Sequence, residues 1–114
     1  MLSDDRQFLL DVVESAATIQ RFCLGRDVQE YDQDVMLHSA CERQLEIIGE
    51  AMTRLRDRHP HTFSEIENGH QIIALRNRLI HGYDSVDSTI VWDVITTKLP
   101  KLEAVARKLL ELAR

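Results

Sequence analysis

The 114-residue sequence is poor in glycine and proline, with four and two respectively. It contains neither a Gly-x-Gly-x-x-Gly run nor a Gly-Lys-Ser/Thr run, which excludes the phosphate-cradling loops of dinucleotide-binding and P-loop folds. Apolar runs are only a few residues long, far from the roughly 20 needed to span a bilayer. The opening MLSDDRQ turns acidic at Asp4 and Asp5, where a secretory signal carries a basic start and an apolar stretch. The expectation is a soluble, cytoplasmic protein with no membrane contact. Cysteine is limited to Cys23 and Cys41, both inside apolar patterns, which reads as two buried free thiols and not a disulfide framework. His38 and Cys41 together offer two ligands where zinc wants four. His38 is therefore read as a core-edge histidine, and no metal or cofactor is expected. No solenoid-scale repeat and no alternating strand pattern is present.

What remains is ordinary globular composition, 44% hydrophobic and 29% charged, on a length that suits one domain over residues 1–114. The net charge of −5 argues against broad non-specific gripping of nucleic acid. Its distribution is uneven. Residues 1–51 hold 4 Lys/Arg against 11 Asp/Glu, whereas residues 52–82 hold 5 against 3 together with four of the five histidines. An anionic ligand site in the middle third is one reading, and solvated helix faces are another.

Helical periodicity runs through the chain. Phe8, Val12, Ala16, Ile19 and Cys23 recur at spacings of three and four, predicting a first helix from Asp4 to about Gly25, which supplies the stop. Arg26–Tyr31 reads as a polar connection. Asp32 is then a candidate cap for a long second helix ending near His59, ahead of Pro60, with Cys41, Leu45, Ile48, Met52 and Leu55 as its seam. Residues 60–68 read as a loop. A third helix starts near Gly69, carries Ile72, Leu75 and Leu79, and ends at Gly82. Asp87 caps a last helical segment through Ile90, Val91, Val94 and Ile95. Pro100 is expected to kink or break it before Leu102, Val105, Leu109 and Leu112. The predicted fold is all-α, an antiparallel bundle of four helices, or five if Pro100 breaks the last.

The segment LRNRLIHGYDSVD, Leu75 to Asp87, sets Arg76, His81 and Tyr83 in the pattern Arg-x4-His-x-Tyr. With LEIIGEA at Leu45–Ala51 and VWDVITTKLPKL at Val91–Leu102, it resembles a HepT-type toxin of the HEPN ribonuclease superfamily over nearly the whole chain. The resemblance implies a metal-independent endoribonuclease acting on tRNA or mRNA. It also implies a homodimer, and a nucleotidyltransferase antitoxin of the MNT type that transfers AMP to the motif tyrosine, which corresponds to Tyr83. The family often has Phe-Gly after the tyrosine; here Asp84 and Ser85 follow, which bears on substrate preference.

The chemistry stands beside that resemblance. Cleavage through the 2′-hydroxyl needs a base, an acid for the leaving 5′ oxygen, and a cation for the phosphorane charge. Histidine suits either proton task near neutral pH, and Arg76 suits the cation role because its guanidinium bonds two phosphate oxygens at once. One chain offers one motif histidine, so a two-fold dimer would supply His81 twice. Five residues correspond to about 140° around a helix. Arg76 and His81 therefore do not share a face, and Asn77 and Arg78 lie closer to His81. Glu50 could orient Arg76, or be a solvated glutamate. Gly49, which costs about 1 kcal/mol in a helix interior relative to Ala, reads as a site of close helix packing. Arg54, Arg56, Arg58, His59 and His61 could form an RNA track or a charged helix end, and Trp92 is read as core. The competing function is a non-catalytic helical module that binds a nucleotidyltransferase or a nucleotide.

Overall fold

The computed structural model describes residues 3–81 and 86–112. Helix α1 (Asp4–Cys23) buries Leu9, Val12, Val13, Ala16, Ile19 and Cys23, with Phe8 packed at the edge of the same stripe. Asp4 and Asp5 sit in its first turn, where acidic charge complements the helix dipole. Gly25 takes φ +75° just beyond its end, a left-handed conformation open to glycine at little cost.

Two connections turn out to be helical. Val28–Gln33 forms α2, overlapping the stretch Arg26–Tyr31 expected to be a polar connection and taking in Asp32, the expected cap. Asp27 accepts from the Glu30 amide at 2.8 Å while the Glu30 carboxylate accepts from the Asp27 amide at 3.2 Å; this reciprocal cap starts the helix, and Tyr31 anchors it in the core. The cap of the long helix α3 (Val35–Arg58) is accordingly Asp34, accepting from Leu37 N–H at 3.0 Å, in place of Asp32. Pro60 stops α3 and also opens α4 (Pro60–Ser64) as its first residue, where the missing N–H would have had no helical partner. Asn68 then takes φ 69°, tolerated by its short polar side chain, and α5 (Gly69–His81) follows.

The last rod is neither sharply broken nor plainly α-helical. Asp87 caps α6 (Ser88–Asp93) through the Thr89 amide at 2.8 Å, a π-helical turn spans Val94–Lys98, and α7 (Leu99–Leu112) continues. Pro100 cannot donate to the carbonyl four residues back, and its ring crowds that group. The widened turn immediately before it removes the conflict, and the chain continues as helix.

Side-chain contacts give the directions. Cys23 at the end of α1 meets Cys41 near the start of α3, while Asp4 at the start of α1 pairs with Arg58 and His59 at the end of α3. Gly69 lies by Met52 and Arg76 by Gly49. Helix α3 therefore runs antiparallel to both α1 and α5 and is packed between them, while α7 closes the bundle on α1. The α3 seam of Cys41, Leu45, Ile48, Met52 and Leu55 is wholly buried, whereas Ile90 and Leu112 of the expected last stripe are exposed. No strand occurs among the described residues, and no described helix is long and apolar enough to cross a membrane.

Candidate active site

Arg76 leaves α5 toward α3 and crosses it at Gly49. A Cβ at position 49 would overlap Cβ and Cγ of Arg76, so the arginine stem lies directly on the glycine backbone. One residue further on, Glu50 Oε2 accepts from Arg76 Nη2 at 2.5 Å, while Asn77 Oδ1 accepts from Nη1 at 2.9 Å. The Arg76 side chain is 23% exposed, and its Nε is buried with no hydrogen-bond partner among the described residues. A half-buried guanidinium needs such pairing, because removing charge from water is costly when it is not compensated.

Around it lies a groove of about 350 Å³ across α1, α3 and α5. Phe8, Ile47 and Ile80 give it apolar walls; Arg43, Arg54 and Arg76 are balanced by Asp11, Glu46 and Glu50. The α3 members Arg43, Ile47, Glu50 and Arg54 repeat at spacings of four, three and four, which puts them on one helix stripe. Arg43 and Ile80 belong to this site and were not singled out from sequence. The stripe spacing on α3 is the signal that could have found Arg43.

His81 is the last residue of α5 and is exposed. Because α5 is regular through the motif, Arg76 and His81 project about 140° apart, and one chain does not bring them onto a common face. Arg78 is exposed on the same helix. Tyr83, with Gly82, Asp84 and Ser85, lies outside the described residues.

The basic run at the end of α3 divides. Arg54 Nε donates to Glu50 Oε1 at 3.0 Å and so belongs to the Arg76 network. Arg58 instead pairs with Asp4 at 3.3 Å and lies over the Phe8 ring at 5.8 Å, and His59 reaches Asp4 at 3.1 Å. Those two tie α3 to α1. Asp4 is held below the ordinary carboxylate range by the His59 hydrogen bond and by Arg58. His38 is half-buried, 3.2 Å from Glu42 and packed near Tyr31, and Trp92 is half-buried against the Tyr31 ring at 5.4 Å. Cys23 and Cys41 are free and buried, their sulfurs 3.6 Å apart, and burial pushes both thiols up. No group of three or more metal-ligating side chains occurs among the described residues.

Comparison with known proteins covers nearly the whole chain. The family described as ribonuclease HepT-like matches residues 12–109. A candidate RNase of Methanocaldococcus jannaschii is 32% identical over 88% of this chain and 91% of its own length. A protein of Thermococcus cleftensis named probable ribonuclease HepT is 28% identical over 96% of this chain and 98% of its own. No solved structure matches at a significant level. With a family match over most of its length and a relative of similar size, this chain belongs to the HepT-like ribonuclease family.

Proposed function

We propose that this HepT-like ribonuclease is the toxin of a toxin–antitoxin pair, a cytoplasmic, metal-independent endoribonuclease that cuts tRNA or mRNA through the 2′-hydroxyl. The observation that carries the reading is the seat of Arg76. The motif arginine is half-buried, paired with Glu50 and Asn77, and faces a groove, an arrangement suited to presenting a fixed cation to a phosphate.

His81 supplies the proton transfers. Because Arg76 and His81 of one chain diverge, the complete site is assembled by two copies, with one histidine neutral as base and its counterpart protonated as acid. The groove over α1, α3 and α5, with apolar walls and balanced charge, is a surface of the kind two copies can share. Arg78 is assigned a weaker, supporting contact to RNA. The antitoxin, a nucleotidyltransferase of the MNT type, silences the enzyme by transferring AMP to the Tyr83 hydroxyl. The added phosphate charge and bulk then repel the RNA phosphate.

The test uses protein purified without its partner. It should cleave total tRNA in EDTA and leave 2′,3′-cyclic phosphate ends, and 2′-deoxy substitution at the scissile position should block the cut. Dependence on magnesium would point to a metal mechanism, and no cleavage under any condition to a binding module. With the nucleotidyltransferase, ATP and magnesium added in a separate reaction free of EDTA, wild-type protein should gain an adenylyl group with release of pyrophosphate and Tyr83→Phe should not. Adduct on both, or on neither, removes Tyr83 as the switch.

A further inference from the structure

We infer that Gly49 and Arg54 are positioning residues for Arg76, acting with Glu50 as one device on α3, and that Arg54 does not contact RNA. The inference rests on the reading of Arg76 as the phosphate-binding cation. Three observations carry it. The Arg76 stem lies where any side chain at position 49 would stand, so Gly49 decides how closely α5 approaches α3. That approach delivers the guanidinium to Glu50 Oε2. Glu50 Oε1 is engaged at the same time by Arg54 Nε, 3.0 Å away and one helical turn along.

The division of the carboxylate has a chemical consequence. With Oε1 turned to Arg54, Glu50 meets Arg76 through Oε2 and not as the two-pronged fork that arginine and carboxylate otherwise favour. Arg76 is fixed by Nη2 alone, while Nη1 rests on Asn77, an exposed neutral amide. A phosphate oxygen can replace Asn77 at Nη1 without disturbing the Glu50 bond. Charge follows the same logic: Arg54 offsets Glu50, so Arg76 keeps its positive field for the incoming phosphate. Without Arg54, Glu50 would neutralise Arg76 and compete with the substrate. Arg54, placed by its sequence neighbours in a basic track, is thus set apart from Arg58, which is tied to Asp4.

The experiment compares Gly49→Ala, Glu50→Gln, Arg54→Gln and the double variant Glu50→Gln/Arg54→Gln with Arg76→Ala and the wild type, as full chains, on total tRNA. Gly49→Ala should lower kcat/KM about 100-fold, the scale for misplacing a catalytic group by about 1 Å. Glu50→Gln and Arg54→Gln should each lose about 10-fold, as for a charged hydrogen bond. Arg54→Gln should act mainly on KM, Glu50→Gln on kcat as well. The double variant should fall no further than Glu50→Gln alone, since Arg54 works through Glu50. The salt dependence of tRNA binding should be unchanged in Arg54→Gln. A slope reduced by about one, the mark of a lost phosphate contact, or losses that multiply in the double variant, would overturn the inference in favour of direct RNA binding. Full activity of Arg54→Gln would overturn it in favour of an inert surface pair. Retained cleavage by Arg76→Ala would instead refute the underlying reading. A measurement independent of cleavage separates the two: the buried Nε–H of Arg76 reports the seat by NMR. Its resonance should move in Arg54→Gln, where the hydrogen bond lost is to Glu50, and in Gly49→Ala. An unmoved resonance in Arg54→Gln overturns the device whatever the RNA assay shows.

Discussion

The two seams of α3 are built on different principles. Toward α1, the contact is closed by apolar side chains, with Val12, Ala16 and Ile19 buried, Cys23 against Cys41 at one end and the Asp4 pairs at the other. Toward α5, the chain places a glycine under an arginine and draws the guanidinium part-way out of water. Burial of a hydrocarbon seam stabilises by area, and many residues of similar volume serve it. A charged side chain laid on a helix backbone is a worse choice for stability alone, since desolvation opposes its ion pair. The α1 seam holds the bundle together. The α5 seam also buries Ile72, Ile73 and Leu75, and at Gly49 it adds a contact that holds one charge in one place.

The largest expected effect lies on the α5 side. Arg76→Ala and His81→Ala should each reduce RNA cleavage by about 10²- to 10⁴-fold, with circular dichroism and thermal unfolding close to wild type. Wild-type cleavage by a folded His81→Ala protein would remove that residue from the mechanism.

A neighbouring pair on α3 sharpens the contrast. Ile48 is fully buried, so Ile48→Ala should lower unfolding stability by about 2–5 kcal/mol in a denaturant titration. The remaining folded protein should still cleave RNA at a near-normal rate. Gly49→Ala, one residue on, should do the reverse in proportion, with activity falling more than stability. Equal ratios of the two losses in both variants would erase the distinction between the seams.

The smallest effect belongs to the staple at the far end of the α1 seam. Asp4 has its carboxyl lowered below 3.8, first by the His59 hydrogen bond and then by Arg58. A group whose folded-state pKa is depressed adds stability that is present above its unfolded value and lost as pH falls through the folded one. Asp4→Asn should therefore lower Tm slightly at pH above 3.8, and the gap should close on the acid side. Because the pair is exposed, the shift should shrink with added salt. A gap that widens on acidification would show that another group carries the acid response.

Much of the fold was legible because helical burial has a short period. Cys41, Leu45, Ile48, Met52 and Leu55 announce a seam by spacing, and all are buried. The misreadings fell where one residue serves two purposes. Asp27 and Glu30 carry the spacing of a reciprocal cap, yet their polar neighbours mask it, and the short helix is secured by Tyr31 in a distant core. Pro60 reads as a stop and is equally a start. Pro100 reads as a kink or a break, and it is met by a widened turn after which helix continues.

Sequence by itself determined the long helices, the buried seam of α3, and the Arg76, His81 and Tyr83 spacing that resembles the HepT-type ribonucleases. These are local properties of side-chain chemistry and chain periodicity. Only the tertiary structure decided that Gly49 receives the stem of Arg76, that Glu50 divides its oxygens between Arg54 and Arg76, and that Arg58 turns away to Asp4. Those choices depend on how closely two helices approach and in what register, which is set by packing between residues up to tens of positions apart and leaves no periodic mark on the chain.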